Sequence, residues 1–387
     1  MTQRKEPRSV AVLGALGSVG TQALDVLRRT GDTVPLLTAN RNVKEMELAA
    51  REFSPRFCVM ADEAAAGDLR IRLADTNITV LGGSKAICEA IAEVNADVYV
   101  NSILGCAGLL PSLAVIDTGK RLALANKESL VVAGDIVMKR ARETGSEILP
   151  VDSEHCAIFQ CMHAGRREEV RRILLTASGG PFFGYTREQL SRVTRVDALA
   201  HPTWKMGAKI TVDSATLLNK GFEVIEAVHL FGVSPSAVTV TVHRESIIHS
   251  AVEYIDGAII AQMSVPDMRH CVQYALTYPS RTDGVCEPLD IFSVGALHFE
   301  QPDTDAFPLL ALAYRAIDMG GAVPCTLNAA GEIAVSAFLR DKLSFLGISE
   351  VIERTVEAQT DAKKANTLDA ILEYDRTARA YACSLIK

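Results

Sequence analysis

Apolar and polar positions alternate regularly over the first 150 residues of the chain. Short apolar runs are each followed by a stretch whose apolar residues recur at helical spacing. Strands that alternate with helices in this way predict a parallel sheet with helices on both faces, which is a doubly wound, Rossmann-like α/β fold. The predicted strands are 9–14, 34–39, 56–60, 97–104, 121–125 and 147–150, and the predicted helices are 21–29, 43–53, 87–94, 109–119 and 129–145.

The pattern changes after residue 150. Residues 171–177 predict a strand that runs into a glycine-rich turn, and 201–232 predict a loop, a strand and a helix in that order. The segments that follow alternate strictly and predict a mainly antiparallel sheet with helices on one face. They are 238–243, 246–254 and 258–264. From about residue 304, apolar positions at i, i+3 and i+4 predict a small helical bundle.

These changes in pattern predict the domain organisation. We expect an N-terminal Rossmann-like domain (1–149), a central α+β domain (150–284), a connecting segment (285–303) and a C-terminal helical domain (304–387).

Composition and charge exclude several classes of protein. The chain has 387 residues and a net charge of −7, which argues against a general binder of nucleic acid or of a membrane surface. No run of apolar residues is long enough to span a bilayer, and the polar N-terminus lacks the features of a signal peptide. The nine cysteines are dispersed, without a CxxC pair or zinc spacing, so we expect reduced thiols in a cytoplasmic protein.

A glycine loop predicts a nucleotide site. Residues 14–20, GALGSVG, follow the first predicted strand and open the first helix, where glycines allow a pyrophosphate to approach the backbone. The alternative is a purely structural turn. An NAD site usually has an acid about 20 residues further on. Here residues 37–42 contain no acid, and Arg41 could pair with a 2′-phosphate, which favours NADP(H), unless Arg41 is simply a solvated arginine at a helix start.

Two acids follow the last predicted strand of the first domain, in the stretch PVDSEH at 150–155. If the strand continues through them, Asp152 and Glu154 point to the same side. Two converging carboxylates repel each other unless a cation or a shared proton lies between them. The alternative is a solvated turn between a strand and a helix, which is the common meaning of an isolated pair of this kind.

Other turns contain groups suited to binding a phosphate. The Ser178-Gly-Gly turn offers a hydroxyl and backbone N–H groups, although it is also compatible with an ordinary tight turn. Ser214, Asn219 and Lys220 add donors from other segments. Lys127 begins a predicted helix, so it either reaches a cleft or lies on the helix surface.

A third acid would complete a metal site. Glu223 and Glu226 lie at i and i+3 on a predicted helix, and either could join Asp152 and Glu154. Three carboxylates make a hard oxygen site suited to Mg²⁺ or Mn²⁺. Periodicity alone does not choose between the two glutamates.

Five stretches of the chain, taken in order, are similar to the motifs of one family. They are ALANKESLV, PVDSEHCAIFQ, LTASGGPF, HPTWKMGAKITVDSATLLNKGFEVIEA and TLNAAGEIAV. With the glycine loop they cover nearly the whole chain, which therefore resembles the 1-deoxy-D-xylulose 5-phosphate reductoisomerases. The resemblance implies an enzyme of the non-mevalonate isoprenoid pathway, a homodimer that uses NADPH and Mg²⁺ or Mn²⁺. Such an enzyme rearranges and reduces its phosphosugar substrate, 1-deoxy-D-xylulose 5-phosphate, to 2-C-methyl-D-erythritol 4-phosphate.

The resemblance also implies residue roles. Domain 150–284 would be catalytic, with a lid at 200–210 and a dimerisation sheet that includes the strands from Val238 to Met263. The implied metal ligands are Asp152, Glu154 and Glu223, which favours Glu223 over Glu226, and the implied catalytic residues are these three with Lys127 and His201. The implied substrate-binding residues are Ser153, Glu154, Ser178, His201, Trp204, Ser214, Asn219, Lys220 and Glu223. The implied cofactor-binding residues are Gly14, Ala15, Leu16, Gly17, Ser18, Val19, Ala39, Asn40, Arg41, Asn42, Asn126, Lys127, Glu128, Met206 and Gly207.

The chain departs from the common family pattern at a few positions. Ala15 and Leu16 replace hydroxyl residues of the glycine loop, Cys156 and Gly331 each replace a common Asn, and Lys205 stands where a smaller polar residue is frequent. None of these changes removes an implied metal ligand or phosphate contact. Two other functions stay open: a metal-assisted NADP oxidoreductase for a different phosphorylated sugar, and a non-catalytic NADP-binding sensor, which would be expected to have lost the acids that this chain retains.

Overall fold

The computed structural model describes residues 7–204 and 206–386. Their contacts group into two compact units, each described here by itself. The first unit comprises the described residues up to Asn126, together with Val137–Cys156 and Asp267–Glu287. The second comprises Lys127–Ile136, Ala157–Pro266 and the described residues from Pro288 onward. The domain boundaries given above stay a prediction.

A seven-stranded parallel sheet forms the centre of the first unit. Its strands are β1 Val10–Leu13, β2 Leu36–Ala39, β3 Phe57–Met60, β4 Thr79–Gly82, β5 Val98–Asn101, β6 Arg121–Leu124 and β7 Ile148–Pro150. The order is β4-β3-β2-β1-β5-β6-β7, so the direction of winding reverses between β1 and β5. The Rossmann-like parallel sheet predicted from the sequence is confirmed. Its continuous apolar runs arise because β1, β2, β3 and β5 are fully buried.

Helices cover this sheet. They are α1 Ser18–Thr30, α2 Val43–Phe53, α3 Glu63–Arg72, α4 Ser84–Val94, α5 Leu109–Asp117 and α12 Met268–Thr277. The sequence analysis missed β4 and α3. β4 is an edge strand with one fully buried residue, and α3 begins where the Asp62 side chain accepts a hydrogen bond from the Ala65 N–H.

Two helices contain residues of both units. They are α6 Glu128–Thr144 and α7 Ser153–Cys161. α6 is interrupted at Ala133, whose φ of −146° is not helical.

A four-stranded sheet forms the β part of the second unit. Its strands are β8 Val170–Ala177, β9 Val238–Val242, β10 Ile248–Tyr254 and β11 Ile259–Met263, in the order β11-β10-β8-β9. β8 and β9 are parallel and the other pairs are antiparallel, which confirms the predicted mainly antiparallel sheet.

The remaining helices of the second unit include the predicted C-terminal bundle. They are α8 Arg187–Leu190, α9 Arg195–Leu199, α10 Ala208–Ala215, α11 Leu218–Phe231, α13 Leu309–Met319, α14 Val323–Leu339, α15 Phe345–Ala358 and α16 Leu368–Leu385. Within the described residues, no helix is long and apolar enough to cross a membrane.

The strand predicted between the loop at His201 and helix α11 is wrong, because this segment forms the helix α10. Its consecutive β-branched residues Ile210, Thr211 and Val212 suggested a strand. In the structure Thr211, Val212 and Ala215 are buried on one side of a helix that packs on α11 and α14. Tertiary packing here outweighs local propensity.

Candidate active site

The glycine loop of the first unit joins β1 to α1 at the point where the sheet reverses direction. Gly14 has a φ of +81°, and a Cβ atom there would lie 2.9 Å from the carbonyl carbon of Ser102. A Cβ atom on Gly20 would overlap the carbonyl oxygen of Gly14. Glycine is therefore required at both ends of the loop, and the reversal point is where open α/β sheets bind their ligands.

Two hydroxyl side chains that the sequence analysis missed hold this loop in place. The Gly14 N–H donates to Thr38 Oγ1 over 3.0 Å. Ser102 Oγ donates to the carbonyl oxygens of Leu13 and Gly14 over 2.9 Å and 3.1 Å. Both residues belong to or directly follow neighbouring strands, so their partners follow from the strand order, which the sequence does not display.

Arg41 lies just beyond the carboxyl end of β2, as an NADP-selecting residue should. Its side chain is 78% exposed and pairs with Asp62 over 2.9 Å. The pKa of Asp62 is held below its usual value by the Ala65 N–H and then by Arg41. Asn42 caps α2 by accepting a hydrogen bond from the Glu45 N–H. Arg41 is thus accessible to a 2′-phosphate, which would have to compete with Asp62.

In the first unit, the Asn126 side chain holds the loop that follows β5 through two hydrogen bonds. Its Nδ2 donates to the carbonyl oxygens of Ile103 and Gly105 over 2.7 Å and 2.9 Å. The predicted cofactor residues in this unit are Gly14, Ala15, Leu16, Gly17, Ser18, Val19, Ala39, Asn40, Arg41, Asn42 and Asn126, whereas Lys127, Glu128, Met206 and Gly207 belong to the second unit.

The two acids of PVDSEH do not lie on a strand, so the predicted i, i+2 strand alignment is wrong. β7 ends at Pro150 and α7 begins at Ser153, which places the acids at a strand-to-helix turn. Asp152 Oδ1 accepts a hydrogen bond from the Glu154 N–H over 3.3 Å and lies 3.1 Å from Nδ1 of the buried His155. The Ser153 hydroxyl donates to the Glu154 carboxylate. Sequence reasoning missed the contact of His155 with Asp152.

In the second unit, buried cationic and amide groups surround the Glu223 carboxylate. Glu223 is 1% exposed. Lys127 Nζ lies 3.1 Å from Glu223 Oε1, and the side chains of Lys220 and Asn219 donate to the same carboxylate. Lys127 and Lys220 are also buried, at 5% and 4% exposure. Three predicted site residues thus converge on Glu223, whereas Glu226 is a second buried acid of the same helix.

A histidine joins the predicted lid to the Ser178 turn. His201 Nε2 lies 3.0 Å from Ser178 Oγ, and His201 Nδ1 accepts hydrogen bonds from the N–H groups of Thr203 and Trp204. An accepting Nδ1 places the proton on Nε2, which then donates to Ser178. Burial lowers the pKa of His201, so the neutral ring is favoured. The Trp204 ring lies 6.1 Å from that of His249, and Lys205 of the predicted lid lies outside the described residues.

The Ser178-Gly-Gly turn lies against the end of α10. Gly179 and Gly180 have φ values of +78° and +63°. A Cβ atom on Gly180 would lie 3.1 Å from the carbonyl oxygen of Ser214. Leu217, with a φ of +58°, then directs the chain from α10 into α11. The turns that carry the predicted phosphate donors are therefore close in space within this unit.

An ion pair on α10, between a partly exposed lysine and a buried aspartate, is a further feature that sequence reasoning missed. Lys209 and Asp213 pair across one helical turn beside Glu128. Their i, i+4 spacing was visible, but the contact of Lys209 with Glu128 on α6 and the packing of α10 on α14 involve distant parts of the sequence.

Family models and relatives of known name match most of the chain, and all of them name the same enzyme. Three family models match: 1-deoxy-D-xylulose 5-phosphate reductoisomerase at residues 10–134, the C-terminal domain of the same enzyme at 148–231, and the DXP reductoisomerase C-terminal domain at 263–381. A 1-deoxy-D-xylulose 5-phosphate reductoisomerase of Bacteroides fragilis is 48% identical over 381 residues, 98% of each chain. One of Aromatoleum aromaticum is 48% identical, over 97% of this chain and 96% of the relative.

Solved structures give the same result. The structure of the Zymomonas mobilis reductoisomerase in complex with NADPH has a TM-score of 0.92 at 44% identity, covering 98% of this chain and 99% of that one. A DOX-P reductoisomerase in complex with NADPH, fosmidomycin and magnesium has a TM-score of 0.93 at 36% identity, covering 98% of both chains. The chain belongs to the 1-deoxy-D-xylulose 5-phosphate reductoisomerase family.

Proposed function

We propose that this chain converts 1-deoxy-D-xylulose 5-phosphate to 2-C-methyl-D-erythritol 4-phosphate with NADPH and a divalent metal ion. The observation that carries this proposal is the buried Glu223 carboxylate with Lys127, Lys220 and Asn219 around it. A dehydrogenase without a metal would not need such an acid. In an enzyme that rearranges a sugar phosphate before reducing it, this acid would supply a metal ligand.

The nucleotide would bind the first unit. The glycine loop and the first turn of α1 present backbone N–H groups to a pyrophosphate, and Arg41 would exchange Asp62 for the 2′-phosphate of NADPH. The two solved structures described above are complexes with NADPH. Ala15 is fully buried, so the loss of a hydroxyl at that position leaves the recognition of phosphate to the backbone.

The metal ligands would be Asp152, Glu154 and Glu223. All three present carboxylate oxygens, the donors that Mg²⁺ and Mn²⁺ prefer, and magnesium is the ion named in the complex of the relative. A carboxylate has about four lone-pair positions, so the lysine contacts of Glu223 still allow metal coordination. Lys127 and Lys220 pair with this carboxylate and would share it with the metal.

The substrate phosphate would be bound by Ser178, Ser214, Asn219 and Lys220. Their segments lie together in the second unit, and Lys220 supplies a buried positive charge. The predicted lid residues, which are His201, Trp204 and Met206, would close over the substrate and exclude water. Ser153 would add a contact from the turn that carries the acids.

The chain's own groups would orient the substrate and control protons. When bound, the metal acts as a Lewis acid on the keto and hydroxyl oxygens, and NADPH supplies the hydride. Lys127 would hold the Glu223 carboxylate in position and place a positive charge near the reacting oxygens. Neutral His201 would donate through Nε2 to Ser178 and hold that hydroxyl towards the phosphate. Binding of the remote phosphate then helps to orient the reacting carbons.

The test is an assay of NADPH absorbance with purified protein, 1-deoxy-D-xylulose 5-phosphate and Mg²⁺ or Mn²⁺. We expect oxidation of NADPH that requires both substrate and metal and that a chelator stops. Asp152→Ala and Glu154→Ala should abolish turnover while NADPH binding persists. If NADPH is oxidised only with other sugar phosphates, the protein is a different oxidoreductase. If NADPH binds but no turnover occurs with any of them, a sensor is favoured.

A homodimer and a cytoplasmic location complete the proposal. β11 is an edge strand of the second unit's sheet, and it exposes Ile259 and Ile260, which would pack against the same strand of a second copy. Light scattering should report twice the mass of 41.7 kDa. A monomer at micromolar concentration would contradict the dimer, and cell fractionation would check the location.

A further inference from the structure

Lys209 lies in the first turn of α10, and its ammonium group contacts three helices of the second unit. Lys209 Nζ lies 2.7 Å from Asp213 Oδ2 on its own helix and 3.7 Å from Glu128 Oε1 on α6. It also lies 5.6 Å from the centre of the Phe222 ring on α11. Asp213, Glu128 and Phe222 are all buried, and 24% of the Lys209 side chain is exposed.

Each of the three groups that Lys209 contacts is the chain neighbour of a residue assigned to the active site. The neighbouring pairs are Glu128 with Lys127, Asp213 with Ser214, and Phe222 with Glu223. On α10 and α11 consecutive side chains are about 100° apart, so fixing the direction of one also fixes that of the next. Lys127 directly precedes Glu128, the first residue of α6. A single ammonium group can therefore set the orientation of all three.

Stability alone gives little reason for a lysine at this position. A cation in the first turn of a helix meets the unfavourable positive end of the helix dipole. Buried ion pairs are also often replaceable by apolar side chains without loss of stability. What an ion pair adds is directional placement, because its geometry is restricted by charge and hydrogen bonding.

The charges in this cluster depend on one another. Burial lowers the pKa of Lys209, but the carboxylates of Asp213 and Glu128 outweigh this effect, so the pKa is raised and the amine stays protonated. Burial raises the pKa of Asp213, and Lys209 opposes that rise. The other oxygen of Asp213, Oδ1, has no hydrogen-bond partner among the described residues. Without Lys209, the Asp213 carboxylate would lose its hydrogen bond to an ammonium group.

We propose that Lys209 is a positioning residue whose ammonium group, by holding these three neighbours, sets the geometry of Lys127, Ser214 and Glu223. The inference rests on the proposed function, since that function gives these three residues their roles. Lys209 itself need not touch the substrate.

The test compares Lys209→Met with the double variant Lys209→Met/Asp213→Asn and with Lys209→Arg. Lys209→Met keeps an unbranched apolar stem, and the double variant also removes the uncompensated buried carboxylate. We expect kcat/KM for 1-deoxy-D-xylulose 5-phosphate to fall by about a hundredfold in Lys209→Met, because misplacement of about 1 Å has such an effect. The dissociation constant of NADPH should change much less than kcat/KM, since the glycine loop is unaltered.

The double variant separates positioning from folding. We expect it to recover the thermal stability lost in Lys209→Met without recovering kcat/KM, whereas Lys209→Arg should recover part of both. Lys139→Met, which removes an ammonium group from a side chain that is 72% exposed, is the matched control and should behave as wild type. Recovery of activity in step with stability, or unchanged kcat/KM in Lys209→Met, would overturn the proposal.

A second measurement keeps this test independent of the proposed function. If the wild-type protein fails to turn over the substrate, the proposed function fails, and amide hydrogen exchange then decides the positioning role. The first turns of α6 and α11 should exchange faster in the double variant than in Asp213→Asn alone. Equal exchange rates would show that Lys209 anchors neither helix.

Discussion

Glu223 balances the charges of two buried ammonium groups, so its own charge matters for folding as well as for the proposed chemistry. Glu223→Gln preserves shape but removes the negative charge that pairs with Lys127 and Lys220. We expect a loss of roughly 3–5 kcal/mol in the free energy of unfolding, typical of breaking a buried pair from one side, and a loss of turnover. Denaturant unfolding and the NADPH assay measure the two effects. Glu226→Gln, on the same helix, is the control, and near-normal turnover in Glu223→Gln would exclude this residue as a metal ligand.

In the proposed function, Arg41 selects NADPH over NADH. Arg41→Ala removes an exposed guanidinium that can pair with a 2′-phosphate. We expect the dissociation constant of NADPH to rise by about tenfold to a hundredfold, the usual effect of losing hydrogen bonds to a charged group, while that of NADH changes little. Fluorescence titration with both nucleotides tests this. An equal loss for both would mean that Arg41 supports the fold of the loop instead of reading the phosphate.

At the level of the loop that joins β1 to α1, the backbone itself leaves no space for a side chain at Gly20. Gly20→Ala would force apart the loop and the helix, because the added methyl group overlaps the Gly14 carbonyl oxygen. We expect a lower melting temperature and weaker NADPH binding. Gly67→Ala is the matched control: this helical glycine has no neighbour within 4 Å of an added Cβ atom. It should stabilise the protein by roughly 0.5–1 kcal/mol. Equal behaviour of the two variants would contradict the close packing of the loop.

The segment from His201 to Trp204 depends on a neutral imidazole. Burial lowers the pKa of His201, so the unfolded chain binds this proton more readily than the folded one. The stability of the folded loop is therefore fully present above the ordinary histidine pKa and decreases as the pH falls below it. Protonation of Nδ1 would also break the bonds from the Thr203 and Trp204 N–H groups.

Trp204 is the single tryptophan, which makes this loop visible to fluorescence. We expect the emission to change as the pH falls below about 6.5, the ordinary histidine pKa, and His201→Gln to remove that change. His249 also lies near the Trp204 ring, so His249→Gln is the control and should keep the transition. A transition that survives in His201→Gln would assign it to another group.

At the scale of the whole molecule, sequence patterns predicted those strands and helices whose apolar residues are buried along a single segment of the chain. The fully buried strands β1, β2, β3 and β5 and the amphipathic C-terminal helices were recovered for this reason. Errors arose where partners are distant in sequence. Ile210 to Val212 suggested a strand, but they belong to a helix that packs on α14, far along the chain. The contacts of Ser102 and Lys209 likewise depend on strand order and helix packing. The site residues themselves came mainly from family resemblance, because no local pattern chooses Glu223 over Glu226.

The glycine loop and Arg41 lie in the first unit and Glu223 lies in the second, which gives a prediction about ligand linkage. A ligand that binds only the folded state stabilises it by about 2.7 kcal/mol at a concentration 100 times its dissociation constant. NADPH should therefore raise the melting temperature of Glu223→Gln by as much as that of the wild type, although the variant starts from a lower value. Arg41→Ala should lose most of this shift at the same NADPH concentration. Differential scanning fluorimetry with increasing NADPH measures all three proteins. A shift that disappears in Glu223→Gln would show that the nucleotide site depends on the acid cluster, and the two functions would then have to be treated as one cooperative site.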